Sequence, residues 1–114
     1  MEEENKKTSV GLEENIEGAL AYLLGFITGI IFLLVEKESE FVRFHAMQST
    51  ITFIAIFVIN LILGNIPFIG WVISSIIGLI GLILWLLGMY MAYKGELYKF
   101  PVVGDIAESQ LKKL

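Results

Sequence analysis

From Phe44 to Tyr93 the chain runs fifty residues without an Asp, Glu, Lys or Arg. As one helix that run would extend roughly 75 Å, far beyond a ~30 Å hydrocarbon core. Near its middle, Gly64-Asn65-Ile66-Pro67-Phe68-Ile69-Gly70 concentrates helix-breaking residues. The pattern therefore predicts two membrane helices, 40–63 and 68–93, joined by a short turn. An earlier apolar stretch, Ala19–Val35, is 17 residues long and is interrupted by Thr28. It is the core of a third predicted helix over 13–35, at the short end for a span. The predicted fold class is an all-α integral membrane bundle with three transmembrane helices over 13–93. A flexible polar tail, 1–12, precedes it. A turn and a short amphipathic helix, 94–114, follow it.

The polar positions inside these helices refine the picture. Ser39 is a good N-cap, and Glu40 suits the positive end of the second helix. The lead-in Phe41-Val42-Arg43-Phe44-His45-Ala46-Met47-Gln48-Ser49 is amphipathic and suits the interface. Projected from His45, Gln48 falls at about 300°, Ser49 at about 40°, Thr52 at about 340° and Asn60 at about 60°. These five side chains share a face that descends into the membrane, with Arg43 opposite. Polar groups facing lipid are costly, so this face should meet protein or water. It reads as interhelical hydrogen bonding or as a hydrated path.

Small residues mark packing faces. Ala21, Gly25 and Gly29 recur every four residues in the first helix. In the third, Ser74, Gly78, Gly81, Gly88 and Ala92, with Trp85 among them, form a heptad-like seam. Trp71 at one end and Tyr90 and Tyr93 at the other suit the two interfaces. After the bundle, Pro101 and Gly104 make a turn, and Asp105 with Glu108 resembles a capping box for the last helix. Ile66-Pro67-Phe68-Ile69-Gly70 and Phe100-Pro101-Val102-Val103-Gly104 echo one another, each a Pro-x-x-Gly before a helix.

Composition supports membrane residence: 56% of residues are hydrophobic and 18% charged. So small a soluble domain would leave much of that apolar surface in water. The first apolar stretch has an acidic flank and no small-x-small site after Val35, so it reads as a retained helix and not a signal peptide. With three crossings, Lys6 and Lys7 lie on one side. Lys37, Arg43, Lys94, Lys99, Lys112 and Lys113 lie on the other. That bias predicts the N-terminus outside and the C-terminus in the cytoplasm. Basic patches with interleaved aromatics are lacking, so nucleic acid is not an expected partner. The absence of Cys removes thiolate chemistry. His45, Asp105 and Glu108 lack metal-site spacing, and the sequence carries no nucleophile constellation or phosphate loop. We expect no catalytic residue, metal or cofactor. The expected partners are the lipid bilayer, further copies of the chain or other membrane proteins.

The Phe41-Val42-Arg43-Phe44-His45-Ala46-Met47-Gln48-Ser49 segment opening a hydrophobic helix, its Phe44–Gln48 part above all, resembles the family of small bacterial and archaeal proteins related to the twenty-kilodalton Tic subunit of the chloroplast inner-envelope protein translocon. The Pro101-Val102-Val103-Gly104-Asp105-Ile106-Ala107-Glu108 tail and the acid-lysine-acid turn after helix one resemble it as well. The resemblance covers about residues 15–110 and implies a helical membrane protein; for the chloroplast branch it implies a role in protein import, which reaches the prokaryotic relatives, mostly of unassigned function, by analogy. His45 and Gln48 are the signature positions it carries over. The chain departs from that family in its three predicted crossings, against four, and in having no transit peptide. The function expected from the sequence is thus a translocation-related component or membrane scaffold acting by helix packing. An oligomeric pore or small-solute transporter and an accessory subunit of a membrane enzyme are the alternatives.

Overall fold

The computed structural model describes residues 8–114. It contains helices α1 (Glu14–Leu23), α2 (Phe26–Val35), α3 (Glu40–Leu63), α4 (Ile69–Tyr93) and α5 (Val103–Lys112). Two of them, α3 and α4, are long and apolar enough to cross a membrane. The seven residues before Thr8, which carry most of the predicted tail, lie outside the described residues. Thr8 and Ser9 are tied to the bundle: Thr8 bonds the Glu17 carboxyl, and the Ser9 N–H donates to Glu36 at 3.1 Å.

The helix predicted over 13–35 is two helices, and this changes the topology. At Gly25 the backbone takes φ +62°, a left-handed conformation that favours glycine, and the chain reverses. α1 runs antiparallel to α4. Asn15 Nδ2 donates to the Tyr93 carbonyl at 2.9 Å, and Trp85 Nε1 to the Leu23 carbonyl at 3.1 Å. α2 returns antiparallel to α3. Phe26 packs on Phe57 with ring centroids 5.7 Å apart, and Arg43 Nη1 donates to the Leu33 carbonyl at 3.1 Å. Each arm is ten residues, about 15 Å, or half of a ~30 Å core. The pair is a helical hairpin whose two ends lie at one end of the molecule.

The single helix expected over 13–35 is therefore replaced by two, and Thr8 and the C-terminal segment, expected at opposite ends, lie at the same end. Thr8, the 36–39 loop, the end of α4 and the C-terminal segment share one end of the molecule. The 64–68 turn alone occupies the other.

The helix limits follow local chemistry. Ser39 caps α3 as expected, its hydroxyl accepting the Val42 N–H at 3.1 Å. α4 and α5 are preceded by the same unusual turn. Phe68 follows Pro67 with φ +61°, and Val102 follows Pro101 with φ +67°. In each turn the glycine two residues on lies where a Cβ would collide. At Gly70 it would meet the Leu63 carbonyl oxygen at 2.3 Å, and at Gly104 the Lys99 Cα at 2.7 Å. The sequence echo is thus a repeated backbone conformation. It places the start of α5 at Val103, so Asp105 lies in its first turn and does not cap it. Asp105 and Glu108 instead reach Lys99, at 3.5 and 2.8 Å. These are exposed pairs of small energetic weight.

Candidate functional site

The first half of α3 is the axis of the molecule: Val42 and every residue from Phe44 to Ser49 are buried. The α1–α2 hairpin covers one side of it. The C-terminal segment covers another, descending beside α3 as an extended strap over 96–102 and rising again as α5. Phe100 inserts from the strap onto Tyr22, with rings 5.9 Å apart. Ala107 and Leu111 of α5 close on Phe44 and Met47.

Such a wrapped backbone needs hydrogen-bond partners inside a membrane protein, and the polar face of α3 supplies them. The Tyr22 hydroxyl donates to His45 Nδ1 at 2.6 Å, and His45 Nε2 donates to the Glu96 carbonyl at 2.9 Å. Those two partners fix the tautomer with the proton on Nε2. Gln48 Nε2 donates to the Tyr22 hydroxyl at 2.9 Å and to the Tyr98 carbonyl at 3.0 Å. Its Oε1 accepts the Phe100 N–H at 2.8 Å. Tyr22, His45 and Gln48 are fully buried and mutually satisfied. Together they clamp the strap against α1 and α3.

The reversal at Gly25 is satisfied in the same way. The Thr28 hydroxyl accepts the Leu24 N–H and donates to the Ala21 carbonyl, both at 3.1 Å. The Ser49 hydroxyl donates to the Gly25 carbonyl at 2.9 Å. With Trp85 on the Leu23 carbonyl, three neighbouring elements serve the backbone of one reversal.

A third polar knot ties off the charged end. Glu36 accepts N–H groups from Ser9 at 3.1 Å and from Glu38 and Ser39 at 2.8 Å. Ser39 also bonds Glu14. Arg43 opposes the polar face, as expected, and bonds the carbonyls that end α2, reaching that of Glu36 at 2.6 Å. Burial pushes the Glu17 carboxyl up to about 7; the Thr8 hydroxyl opposes this, and the neighbouring carboxyls of Glu36 and Glu14 add to it. Burial works on Glu36 too, but it is outweighed. The Glu17 carboxyl and the N–H groups of Ser39, Ser9 and Glu38 hold Glu36 down at about 2. In mildly acidic solution Glu17 is therefore protonated and Glu36 ionised.

Of the predicted polar face, His45, Gln48 and Ser49 enter these networks. Thr52 is buried, and its Oγ1, like Asn60 Oδ1, has no hydrogen-bond partner among the described residues. The predicted packing faces divide in the same manner. Ala21, Gly29, Gly81, Gly88 and Ala92 are buried. Gly29 lies against Ala46 and Thr50, Gly81 against Ile56 and Gly88 against the Tyr22 ring. Gly25 is the reversal itself, Ser74 is half-buried and Gly78 is open. The seam on α4 is therefore occupied over its second half only.

Tyr22 and Glu17 were not among the residues the sequence singled out, and Thr28 stood out only as an interruption of the first apolar stretch. Each is a hydrogen-bonding side chain within an apolar or helical stretch, which was the signal available. A cavity of about 600 Å³ opens between the start of α3 and α5. It is lined by Phe41, Phe44, Leu97 and Leu111, with Glu40, Glu108 and Lys112 among its polar side chains. The described residues bring no three His, Asp or Glu side chains together where a metal ion could be held.

The chain matches the magnetosome magnetite crystal formation protein family, MamF/MmsF, over residues 12–107. It is 59% identical over 102 residues to a UPF0132 membrane protein of Methanocaldococcus jannaschii, covering 90% of this chain and 92% of the relative. A second such protein, of Archaeoglobus fulgidus, is 58% identical over 100 residues, covering 88% and 97%. No solved structure matches the chain. These matches overturn the resemblance to the Tic subunit, whose signature rested on a short stretch of α3, and with it the translocation role. The chain is a small helical membrane protein, and it belongs to the MamF/MmsF family.

Proposed function

We propose that this protein is a membrane scaffold, acting through the shape and anchoring of its body and not through bond chemistry. The observation that carries this reading is the use made of the α3 polar face. His45, Gln48 and Ser49 are occupied in holding the chain to itself, which leaves little of that face to line a path for solutes. The family description speaks of magnetite crystal formation. The side chains here favour the membrane frame of such a process over a mineral-contacting surface. The bilayer is then the principal partner.

The charge distribution supports an orientation. Lys37, Arg43, Lys94, Lys99, Lys112 and Lys113 all lie at the end shared by Thr8 and the C-terminal segment. The 64–68 turn carries no charge. In this reading α3 and α4 cross the bilayer, the α1–α2 hairpin re-enters it from the charged end, and that end, with Thr8 and the C-terminal segment, faces the cytoplasm.

Single cysteines at Val10, Glu38, Gly95 and Asn65 test this in right-side-out and inverted vesicles with a membrane-impermeant maleimide. Val10, Glu38 and Gly95 should label together from the cytoplasmic side, and Asn65 from the other. Labelling of Val10 together with Asn65 would restore three crossings. Cysteine at Thr52 should stay unreactive in the folded protein; reaction there would support a hydrated path and count against the scaffold.

A further inference from the structure

Burial is divided sharply along the long axis, which measures 51 Å. In α3 the last buried residue is Thr52; none from Phe53 to Leu63 is buried. In α4 the buried residues are Gly81, Gly88 and Ala92, apart from Gly70, which packs into the turn before it. Everything else in the fold is gathered at the charged end. The α1–α2 hairpin reaches only as deep as Phe57 and Trp85, and the strap only as deep as Gln48. One half of the body thus has four helices and a strap in cross-section, and the other has two helices. Taking each helix as a cylinder about 10 Å across, the cross-sections differ roughly twofold.

The narrow half is clad in Ile62, Ile73, Ile76 and Leu79, all exposed. Its surface hydroxyl at Ser75 is bonded back to the Trp71 carbonyl, at 2.9 Å. This half offers lipid chains an aliphatic coat, its exposed Ser75 hydroxyl bonded within its own helix. In the wide half α5 adds to the asymmetry. It lies against α3 through Ala107 and Leu111 and keeps Asp105, Lys112 and Lys113 outward. That is the disposition of an interfacial helix, which occupies area in one leaflet only.

We propose that the molecule is a wedge that recognises and stabilises curved bilayer, with the charged-end leaflet on the convex side. A body wider in one leaflet displaces more lipid there. The bilayer relieves the imbalance by bending away from the narrow end, so the protein binds a bent membrane more favourably than a flat one. The inference rests on the two-crossing, re-entrant topology proposed above. It commits lipid, and not a second copy of the chain, to the narrow half. A second copy packed there would fill the far leaflet and cancel the wedge.

The test uses the full chain, fluorescently labelled at Gly95→Cys. It is reconstituted at low density into a mixture of small and large vesicles of one phosphatidylcholine–phosphatidylglycerol composition. Density per lipid area is read vesicle by vesicle, and an impermeant quencher reports which end faces out. The wedge predicts density about twofold or more higher on the smallest vesicles, with the charged end outward. Equal density across sizes, or enrichment with the charged end in the lumen, overturns it. So does efficient disulfide crosslinking between copies carrying Gly78→Cys, which would place a second chain on the narrow half. The cysteine labelling from Val10 to Asn65 is read on the same membranes. If that topology holds and the density is flat, curvature fails alone. If Val10 labels with Asn65, the re-entrant reading fails and the wedge with it.

Discussion

Glu17 is the residue whose environment makes the clearest thermodynamic statement. It is fully buried, and its carboxyl adjoins that of Glu36. Below about pH 4.5 Glu17 is protonated both folded and unfolded, and its burial carries no ionisation penalty. Between there and about pH 7 the unfolded chain has lost the proton that the folded chain keeps, so stability falls. Glu36 acts oppositely. Its stabilisation is present above about pH 4.5 and is lost as the pH falls toward 2. The pair is therefore most favourable near pH 4.5 to 5. In detergent the melting temperature should be higher at pH 5.5 than at pH 8. Glu17→Gln should flatten that slope and raise stability at pH 8 by on the order of 2 kcal/mol. A wild-type slope in the variant would remove Glu17 as its source. Gln48 is the companion case. Gln48→Leu leaves the Tyr98 carbonyl and the Phe100 N–H without partners in the bundle, at a cost of about 2–4 kcal/mol. Protease cleavage within 96–102 should rise in step, and an unchanged cleavage rate would mean that Phe100 and the His45 bond to the Glu96 carbonyl hold the strap without Gln48.

At the scale of elements, the α2–α3 contact is where packing is least forgiving. A Cβ added at Gly29 would lie 2.7 Å from Thr50 Oγ1 and 3.0 Å from the Ala46 carbonyl oxygen. The backbone there cannot yield without moving α2. Gly29→Ala should cost about 1–3 kcal/mol in a detergent unfolding titration. Gly78→Ala, which meets nothing within 4 Å, should leave the midpoint unchanged. Equal effects would dissolve the distinction between the occupied and open halves of the small-residue pattern. The same contrast explains what the sequence disclosed. The limits of α3 and α4 were legible because the charge-free run ends at Arg43 and Lys94 and breaks at Pro67. The division of the first helix was not. Gly25 lies among apolar residues and looks like any membrane-helix glycine; only its φ, the Ser49 hydroxyl on its carbonyl and the Thr28 hydroxyl between Leu24 and Ala21 mark a reversal. The polar face of α3 was legible from period alone, but its partners were main-chain groups of a strap some fifty residues away, which no periodicity reveals.

At the scale of the whole molecule, the two tryptophans report how the body sits in the bilayer. Trp71 stands at the start of α4 beside the uncharged turn, half exposed, with Nε1 on the Gly64 carbonyl at 3.2 Å. Trp85 lies eight residues before Tyr93, about 12 Å below the charged end at 1.5 Å per residue. Its indole holds the Leu23 carbonyl at the tip of the re-entrant hairpin. If α3 and α4 cross a ~30 Å core and the hairpin stops half way, Trp85 belongs near the midplane and Trp71 near the far interface. Trp71→Phe leaves Trp85 as the single tryptophan, and Trp85→Phe leaves Trp71. Lipids brominated near the ends of their chains should quench Trp85 more strongly than lipids brominated near the glycerol. For Trp71 the order should reverse. Should Trp85 instead follow the shallow bromines, the hairpin tip would sit at an interface. The helices would then be tilted or shifted so far that a half-depth α1–α2 could no longer describe the molecule. Because Trp85 touches the hairpin directly, its depth tests the re-entrant geometry without reference to which end faces the cytoplasm.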